Sequence, residues 1–282
     1  MASPVADIFL QAAELNRQDA RRHGNVVLLE SGVRVILAGD IHGHRDNLNR
    51  IIRYAALESQ PACRLILQEI IHGPSDHRAG HDRSAELLMR AARLKRSHPQ
   101  QVLFVLGNHD VAQVTGNEIT KDGRGAVAAF SAAMAPSFGD HAQAVADAVK
   151  EFILSMPLAV RCPNGVICVH SLPSPARLEQ AGVEIFSRQG YTDADLRRGG
   201  AAYEWTWGRK QTAEELAVLR RQLDANFFLI GHKPVEEGWE RLHDDGLILT
   251  SHHQRGCIAV FDSDQPLDAR GAASIIQPIA SL

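Results

Sequence analysis

A chain of 282 residues is long for one domain but still fits one large layered domain, and we start from that interpretation. Hydrophobic residues make up 45% and charged residues 22%, which is typical of a globular protein and excludes a largely disordered chain. The 33 acidic residues and 30 lysines and arginines leave a formal charge of −3, so bulk charge predicts affinity for neither nucleic acid nor a membrane surface.

The cysteines and the N-terminus bear on the compartment. The four cysteines form no CxxC pair, so we interpret them as reduced thiols, mostly in the core: Cys63, Cys162, Cys168 and Cys257. The first residues, MASPVADIFL, lack an uninterrupted apolar run, and no later stretch approaches about 18 apolar residues in a row. We therefore expect a cytoplasmic protein without a membrane segment, whose oligomeric state the sequence leaves open.

The first predicted element is a helix. Helical spacing over residues 4–23, within an N-terminal segment 1–25, is followed by VVLLE, the turn Ser31-Gly32 and VRVILAGD, which together predict a β-hairpin. After the loop GDIHGH, the stretch DNLNRIIRYAAL resumes a helical pattern, and RLILQEII (64–71) predicts a strand. A polar, glycine-rich stretch then leads to the amphipathic helix RSAELLMRAARLKRSHP and to the strand and exit loop QVLFVLGNHD.

The second half of the chain begins with an alanine-rich segment. Residues 111–155 are mostly helical in pattern with a break around Pro136 to Gly139, and we interpret them as a helical insertion over one rim. Short strands follow in LAVRC, NGVICVHS, NFFLIGHKP, GLILTS and CIAVFDSD, with a helix over 212–224 before the third of them. These elements predict a single α/β domain over residues 1–282.

Five apolar strands end in loops that carry metal-ligand residue types: VILAGDIHG, LILQEIIHG, VLFVLGNHD, GVICVHS and FFLIGHKP. One Asp or His after a strand is more often a turn or capping residue, but five such loops in succession make that interpretation improbable. Strand ends at one edge of a layered sheet bring such side chains together in one crevice. The candidate ligands are Asp40, His42, Glu69, Asn108, His170 and His232.

Two carboxylates, an amide and three imidazoles suit a hard or borderline divalent cation, and Mn, Fe and Zn are all accommodated. Two such ions about 3.5–4 Å apart can clamp the oxygens of a phosphoryl group for in-line displacement. Phosphoester hydrolysis is therefore the chemistry that this set favours.

The motifs GDIHGHRDNL, LGNHD, VHS and GHKPVEEGWE resemble those of the calcineurin-like metallophosphoesterases, in the branch that contains the phosphoprotein phosphatases. The resemblance covers about residues 34–262. It implies an α/β (α+β layered) fold, a metallophosphoesterase-type central β-sandwich flanked by helices, with the ligand-bearing loops at one edge. The wider superfamily has GHxH where this chain has GHKP, so Pro234 supplies no ligand and the phosphoprotein phosphatase-like subset fits better.

The resemblance also implies roles for individual residues. Asp40 and His42 would bind the first of two divalent metals, and the second would be held by three residues: Asn108, His170 and His232. His109 would lie beside the leaving group as a proton donor. The substrate implied is a phosphorylated one, either a phosphoprotein or a small phosphoester.

The second motif of the family, GDxxDRG, is altered here. Its first Asp bridges the metals, so Glu69 would have to be the bridge, and His72 stands where the family places an Asp that partners the catalytic histidine. Residues inserted after Glu69 offer two replacements for the displaced Asp and Arg: the pair Asp82 and Arg83, which we favour, or the pair Asp76 and Arg78. The alternative is that Asp82 caps the helix that follows it.

Other polar residues have two interpretations each. Arg209 resembles the arginine that follows a Trp-containing strand in small bacterial and phage members, where it would clamp the substrate phosphate; otherwise it is a surface arginine. His252 and His253 either contact substrate or are exposed to solvent. The three histidines of the inserted loop could suggest a third metal, but we interpret them as solvated: His72, His77 and His81.

Three functions remain in view. The first is a metal-dependent phosphomonoesterase, with a protein serine/threonine phosphatase as its specific form. The second is a nucleotide or dinucleoside polyphosphate hydrolase, and the third is a metal-binding regulatory module whose catalysis has weakened with the altered second motif. The retained His109 and the complete second ligand set favour an enzyme.

Overall fold

Two β-sheets form the centre of the molecule, whose computed structural model describes residues 3–121 and 123–282. The helices are α1 (Pro4–Arg17), α2 (Arg45–Ala55), α3 (Ser84–Ser97), α4 (Asn108–Thr115), α5 (Ala126–Ala132), α6 (Met134–Phe138), α7 (Ala142–Leu154), α8 (Pro175–Ala181), α9 (Asp193–Leu196), α10 (Ala201–Trp207) and α11 (Ala213–Leu223). Short 3₁₀ turns occur at Gly139–His141, Glu184–Phe186, Ala272–Ile275 and Ile279–Ser281. Met1, Ala2 and Asp122, which fall in two of the expected segments, lie outside the described residues.

The strands are β1 (Arg22–His23), β2 (Val26–Leu28), β3 (Arg34–Asp40), β4 (Cys63–Gln68), β5 (Val102–Val105), β6 (Thr120–Lys121), β7 (Arg124–Gly125), β8 (Ala159–Arg161), β9 (Val166–Val169), β10 (Phe227–Ile230), β11 (Trp239–Leu242), β12 (Gly246–Leu249), β13 (Cys257–Asp262) and β14 (Ile276–Pro278). The larger sheet has the order β1-β2-β8-β9-β10-β12-β11, and the smaller has β14-β13-β3-β4-β5. In the smaller sheet β3, β4 and β5 are parallel, and in the larger β9, β10 and β12 are parallel. The loops after these strands therefore leave each sheet at one edge.

The apolar residues of the strands alternate between two cores, as the period of a strand requires. In β4, Leu65 and Leu67 pack against helices, whereas Ile66 faces the space between the sheets. The smaller sheet contributes Val35, Leu37, Ile66, Leu103 and Val105 to the inter-sheet core, and the larger contributes Val160, Cys168, Phe227, Leu229, Leu247 and Leu249. The layered sandwich predicted from the sequence is confirmed, and all four cysteines are buried free thiols as expected.

Helices cover the outer faces of the sandwich. α1 packs against α3 and α7, and the Phe152 ring of α7 lies 5.0 Å from the Phe104 ring of β5 and 5.8 Å from the Phe9 ring of α1. Fully burying each such ring contributes about 1.5–3 kcal/mol to the free energy of unfolding. Among the described residues, no helix combines the length and the apolar character needed to cross a membrane.

The hairpin expected for residues 26–40 does not form, because its two strands lie in different sheets. β2 pairs in parallel with β8, with Val26 opposite Ala159, while β3 pairs with β4 and β13. The Ser31-Gly32 turn instead carries the chain across the sandwich. Val27 and Val33 both point into the inter-sheet core, so this crossing buries apolar surface that a hairpin on one sheet would not.

The two sheets meet at the edge where β3 ends. A Cβ built on Gly39 would lie 2.2 Å from the carbonyl oxygen of Leu249, so only glycine allows this approach. Gly39 N donates to Ser251 Oγ (2.9 Å), and Ser251 N donates to the carbonyl oxygen of Asp40 (3.1 Å). Loops from both sheets therefore share one crevice.

Candidate metal centre

The predicted ligands all lie at this shared edge. Asp40 is the last residue of β3, Glu69 follows β4, Asn108 begins α4 just after β5, His170 follows β9 and His232 follows β10. Their side chains and that of His42 are buried. The strand predicted over 64–71 ends earlier, at Gln68, because Glu69 has a φ of 42° that leaves the extended conformation.

Unusual backbone conformations are concentrated here. Seven non-glycine residues among those described have positive φ, and four of them lie in this crevice: His42 (40°), Glu69 (42°), His72 (61°) and His232 (69°). A bulky residue in this conformation is strained, and such strain persists where the surroundings hold it for a function. The clustering marks the crevice as a functional site.

Three atoms that could bind a metal ion lie close together at one point of the crevice. Asn108 Oδ1 lies 2.9 Å from His170 Nε2 and 2.6 Å from His232 Nδ1, and the two histidine nitrogens are 3.1 Å apart. Ligands about 2.1 Å from a common ion lie about 3–3.4 Å from one another, so these separations are close to those of a coordination sphere. An amide oxygen and two imidazoles fit a divalent cation.

Both imidazoles are held in the neutral form that binds a metal. Burial, reinforced by His232, His109 and Arg209, holds the pKa of His170 well below its ordinary value. Burial and the charge of Arg209 lower the pKa of His232 to about 3. Gln68 orients the His170 ring, because Gln68 Oε1 accepts a hydrogen bond from His170 Nδ1 (2.9 Å) while its amide nitrogen donates to Ala38 O (2.9 Å).

Glu69 lies between this cluster and a second one. His42 Nδ1 donates to the carbonyl oxygen of Ile71 (3.1 Å), and His42 Nε2 lies 3.4 Å from Glu69 Oε2 and 3.9 Å from Asp40 Oδ2. The other carboxylate oxygen, Glu69 Oε1, lies 3.5 Å from His170 Nε2. Within the described part of the chain, two groups have possible ligand atoms within 4.8 Å of one another: His42, Glu69 and His109, and Asp40, Glu69 and His170. Glu69 is common to both.

Two glycines make room for these carboxylates. A Cβ on Gly107 would lie 2.3 Å from Glu69 Cγ, and a Cβ on Gly231 would lie 2.4 Å from Asp40 Oδ1. The backbone also supplies donors, since His109 N donates to Glu69 Oε1 (2.6 Å) and His232 N donates to Asp40 Oδ1 (3.1 Å). Close packing against these glycines and hydrogen bonds from the two backbone N–H groups together fix the positions of both carboxylates.

The His109 ring contacts the rings of both His42 and His72. His72 Nδ1 lies 2.8 Å from His109 Nδ1, and the His72 ring is only 1% exposed. The interpretation of His72 as a solvated loop residue is therefore wrong, because the loop folds this histidine back under α4. His77 is exposed, and His81 is half-buried with its Nε2 3.4 Å from Ser137 Oγ.

The residues proposed to replace the second motif have other contacts. Asp82 Oδ1 accepts a hydrogen bond from Ser84 N (2.7 Å), the first residue of α3, and Arg83 occupies the N-cap position of that helix. Arg83 forms an ion pair with Glu86, and Asp76 accepts hydrogen bonds from Arg78 N and Ala79 N within a tight turn. These contacts place Asp82 beside the N-cap of α3 and give no support to catalytic roles for Asp82 and Arg83.

Arg209 does reach the crevice. Its Nε donates to His232 Nε2 (2.9 Å), and the segment before it, α10, is a helix and not the Trp-containing strand of the resemblance. The His252 ring lies 5.3 Å from the His42 ring, whereas His253 Nε2 donates to Val235 O (2.9 Å). Of these two histidines, His252 is the one beside the centre.

Some functional positions were missed by sequence reasoning. Gln68 carries a signal, because a polar residue on the inward side of the apolar strand LILQ has to be hydrogen-bonded. Gln113, whose Oε1 lies 2.9 Å from His72 Nε2, carries none beyond its place one turn after His109. The roles of Gly107 and Gly231 depend on close approaches between segments distant in sequence.

Comparison with known proteins agrees with this geometry. The family described as calcineurin-like phosphoesterase matches residues 33–264 of the chain. No curated protein matches the sequence significantly.

Solved structures show the same fold. A protein serine/threonine phosphatase from Saccharomyces cerevisiae, described as similar to human phosphatase PP5, has a TM-score of 0.70 and 15% identity, covering 98% of this chain and 92% of that chain. A cold-active protein-tyrosine phosphatase of a psychrophilic Shewanella species has a TM-score of 0.60 and 14% identity, covering 94% of this chain and 84% of that chain. At these identities the likeness is one of fold.

Proposed function

The chain belongs to the calcineurin-like phosphoesterase family and is a phosphoric ester hydrolase, and we propose that it hydrolyses phosphate monoesters at a dinuclear metal centre built on Glu69. One observation carries the proposal: the two oxygens of the Glu69 carboxylate face different ligand clusters, with Oε2 3.4 Å from His42 Nε2 and Oε1 3.5 Å from His170 Nε2. A carboxylate so placed offsets the repulsion between two dications.

The residues present fit two ions. Asp40, His42 and Glu69 would hold the first, and Glu69 would share the second with three residues: Asn108, His170 and His232. Bound divalent ions would supply Lewis-acid activation of water and of the phosphoryl oxygens. Manganese, iron and zinc all suit these ligands, and we propose manganese as the ion to test first.

The remaining side chains have roles of their own. His109 would give a proton to the leaving oxygen. This role suits its imidazole, which is buried beside the proposed ligands and is held in place by a hydrogen bond with His72. Arg209, whose Nε bonds to His232, would bind the phosphate oxygens with its planar fork.

We propose a phosphoprotein, phosphorylated on serine or threonine, as the substrate. Arg209 lines a cleft of about 730 Å³, whose other lining residues include Lys210, Lys233 and Arg241 together with Glu240 and Asp244. Mixed charges in a cleft of this size suit a polypeptide around the phosphorylated residue. A nucleotide or dinucleoside polyphosphate is the competing substrate, and a weakened regulatory module would turn over neither. A cytoplasmic location is part of the proposal.

The deciding experiment combines metal analysis with a substrate panel. Purified protein reconstituted with Mn²⁺ is assayed on p-nitrophenyl phosphate, on phosphoserine, phosphothreonine and phosphotyrosine peptides, and on diadenosine tetraphosphate, with chelated protein as the blank. We expect two equivalents of metal and fastest turnover of the phosphoserine or phosphothreonine peptides. Preference for diadenosine tetraphosphate would overturn the substrate class, and metal binding without turnover of any substrate would favour the regulatory module.

His109→Asn is the matched control for this assay. It should keep both metals and reduce turnover by about 10²-fold or more, the range of general acid catalysis. Loss of metal from this variant would make His109 a ligand of the group that it forms with His42 and Glu69.

A further inference from the structure

A hydrogen-bonded chain of three side chains, two buried histidines and the half-buried Gln113, leads away from the metal centre. His109 Nδ1 lies 2.8 Å from His72 Nδ1, and His72 Nε2 lies 2.9 Å from Gln113 Oε1. The His72 ring also packs edge-on against the Phe130 ring of α5, with centroids 5.7 Å apart. Apolar packing on one side and hydrogen bonds at both nitrogens hold this ring in a single orientation.

Hydrogen-bond chemistry determines where the protons lie in this chain. An amide oxygen only accepts, so His72 Nε2 carries a proton and donates it to Gln113 Oε1. The Nδ1 of a neutral His72 then has a lone pair, and the hydrogen bond between the two rings requires the proton on His109 Nδ1. The amide orientation agrees with this, because Gln113 Nε2 lies 3.2 Å from Ser131 Oγ, a possible acceptor. His109 Nε2 is thereby left with a lone pair, so His109 would take up a proton at Nε2, becoming an imidazolium, before giving that proton to the leaving oxygen.

We propose that His72, held by Gln113, is the positioning residue that sets the tautomer and ring orientation of His109 through a neutral hydrogen bond. This inference rests on the proposed function, because it assigns His72 a role in turnover at the same centre. The sequence resemblance implies an Asp at the place of His72, so this chain fills that place with a neutral acceptor in contact with the same ring.

Two side chains of α4 hold His72 in place. His109 and Gln113 are separated by four residues on α4, so their side chains lie on one face of the helix and hold His72 between them. His72 itself has a φ of 61°, which turns the loop back towards α4. The same helix begins at Asn108, so one rigid element carries a metal ligand, the acting histidine and the residue that orients its partner.

A neutral partner avoids the desolvation cost of burying a charge at position 72, which is almost fully buried. Histidine and glutamine orient the ring without adding charge. The arrangement therefore substitutes two neutral hydrogen bonds for one ionic contact.

Two substitutions test the role of the chain. His72→Phe removes the acceptor but keeps a ring, and Gln113→Leu removes the group that selects the His72 tautomer. Both should retain two equivalents of metal and near-normal KM for p-nitrophenyl phosphate while kcat falls by about 10–100-fold, the range for residues that orient an acting group. His72→Asn returns an acceptor oxygen and tolerates the positive φ, so it should recover part of the loss. Gln143→Leu, at an exposed position of α7, is the control.

A spectroscopic measurement separates this proposal from the proposed function. Long-range ¹H–¹⁵N spectra of the metal-free protein, recorded well above the ordinary histidine pKa of about 6.5, report the tautomer of each ring. We expect Nδ1–H for His109 and Nε2–H for His72, with the His109 assignment lost in His72→Phe. An Nε2–H tautomer for His109 in the unaltered protein, or unchanged kcat in both His72→Phe and Gln113→Leu, would overturn the proposal. A protein without phosphoesterase turnover but with these tautomers would overturn only the function.

Discussion

Gly107 lies against the carboxylate of Glu69, so closely that a Cβ on the glycine would be 2.3 Å from both Cγ and Oε1 of the glutamate. His109 N, two residues further along the chain, donates a hydrogen bond to the same Oε1 (2.6 Å). The loop between β5 and α4 therefore determines where the Glu69 carboxylate sits between the two ligand clusters.

Gly107→Ala should displace Glu69 and reduce the metal content below two equivalents. A contact of 2.3 Å cannot be relieved by a small shift, since the neighbouring atoms belong to the buried Glu69 side chain itself. Mass spectrometry of metal after reconstitution is the measurement. Gly271→Ala is the control, because its added Cβ would meet its nearest atoms at 3.9 Å. Full metal content in Gly107→Ala would show that Glu69 does not need this position.

Glu69→Gln should empty at least one metal site, because an amide cannot offset two dications as a carboxylate does. Glu69→Asp should keep partial occupancy, since it retains the charge and shortens the side chain by one methylene. Metal content is again measured, with Glu58→Gln, a change at an exposed residue, as the control. If Glu69→Gln held two equivalents tightly, another residue would be the bridge.

Arg209→Lys should raise KM for p-nitrophenyl phosphate by about tenfold, because an ammonium group cannot reproduce the two-donor fork of a guanidinium. Because the lysine keeps the positive charge, kcat should change much less than KM. Steady-state kinetics check this, with Arg93→Lys on the exposed face of α3 as the matched substitution. Unchanged kinetics in Arg209→Lys would place the phosphate clamp elsewhere.

Lys95 gives a prediction for stability against pH. Its Nζ is fully buried and donates to Pro99 O (2.8 Å) and Val102 O (2.9 Å), and burial lowers the pKa of Lys95 from 10.5 to about 8. Between these values the unfolded chain binds the proton more strongly than the folded chain, so the contribution of Lys95 to the free energy of unfolding rises with pH.

The comparison is made with Lys95→Met in urea unfolding at pH 8 and pH 10. The difference in free energy of unfolding, unaltered protein minus variant, should increase by about 2 kcal/mol from pH 8 to pH 10, because the pKa of Lys95 is lower in the folded chain than in the unfolded chain. Parallel pH profiles for the two proteins would mean that Lys95 titrates normally.

The residues that form the candidate metal centre could be predicted from local sequence patterns. Apolar runs that end in Asp, Glu, Asn or His predicted which side chains would follow each strand, because strand period and residue chemistry are local properties, although the strand predicted over 64–71 stops at Gln68. The strands at LAVRC, NGVICVHS, NFFLIGHKP, GLILTS and CIAVFDSD, and the helix over 212–224, formed as those patterns indicated.

Other features depended on contacts between distant segments. The strand VVL joined the opposite sheet from VILAGD because pairing with β8 and burial between the sheets outweighed a short turn. His72 became a buried partner of His109 only because the loop folds under α4, while Asp82, the replacement favoured from the sequence, accepts a hydrogen bond from Ser84 N at the start of α3. By itself the sequence determined which chemical groups were present and at which strand ends. The tertiary structure decided which of them touch, since that depends on how two sheets and a helix approach one another in space.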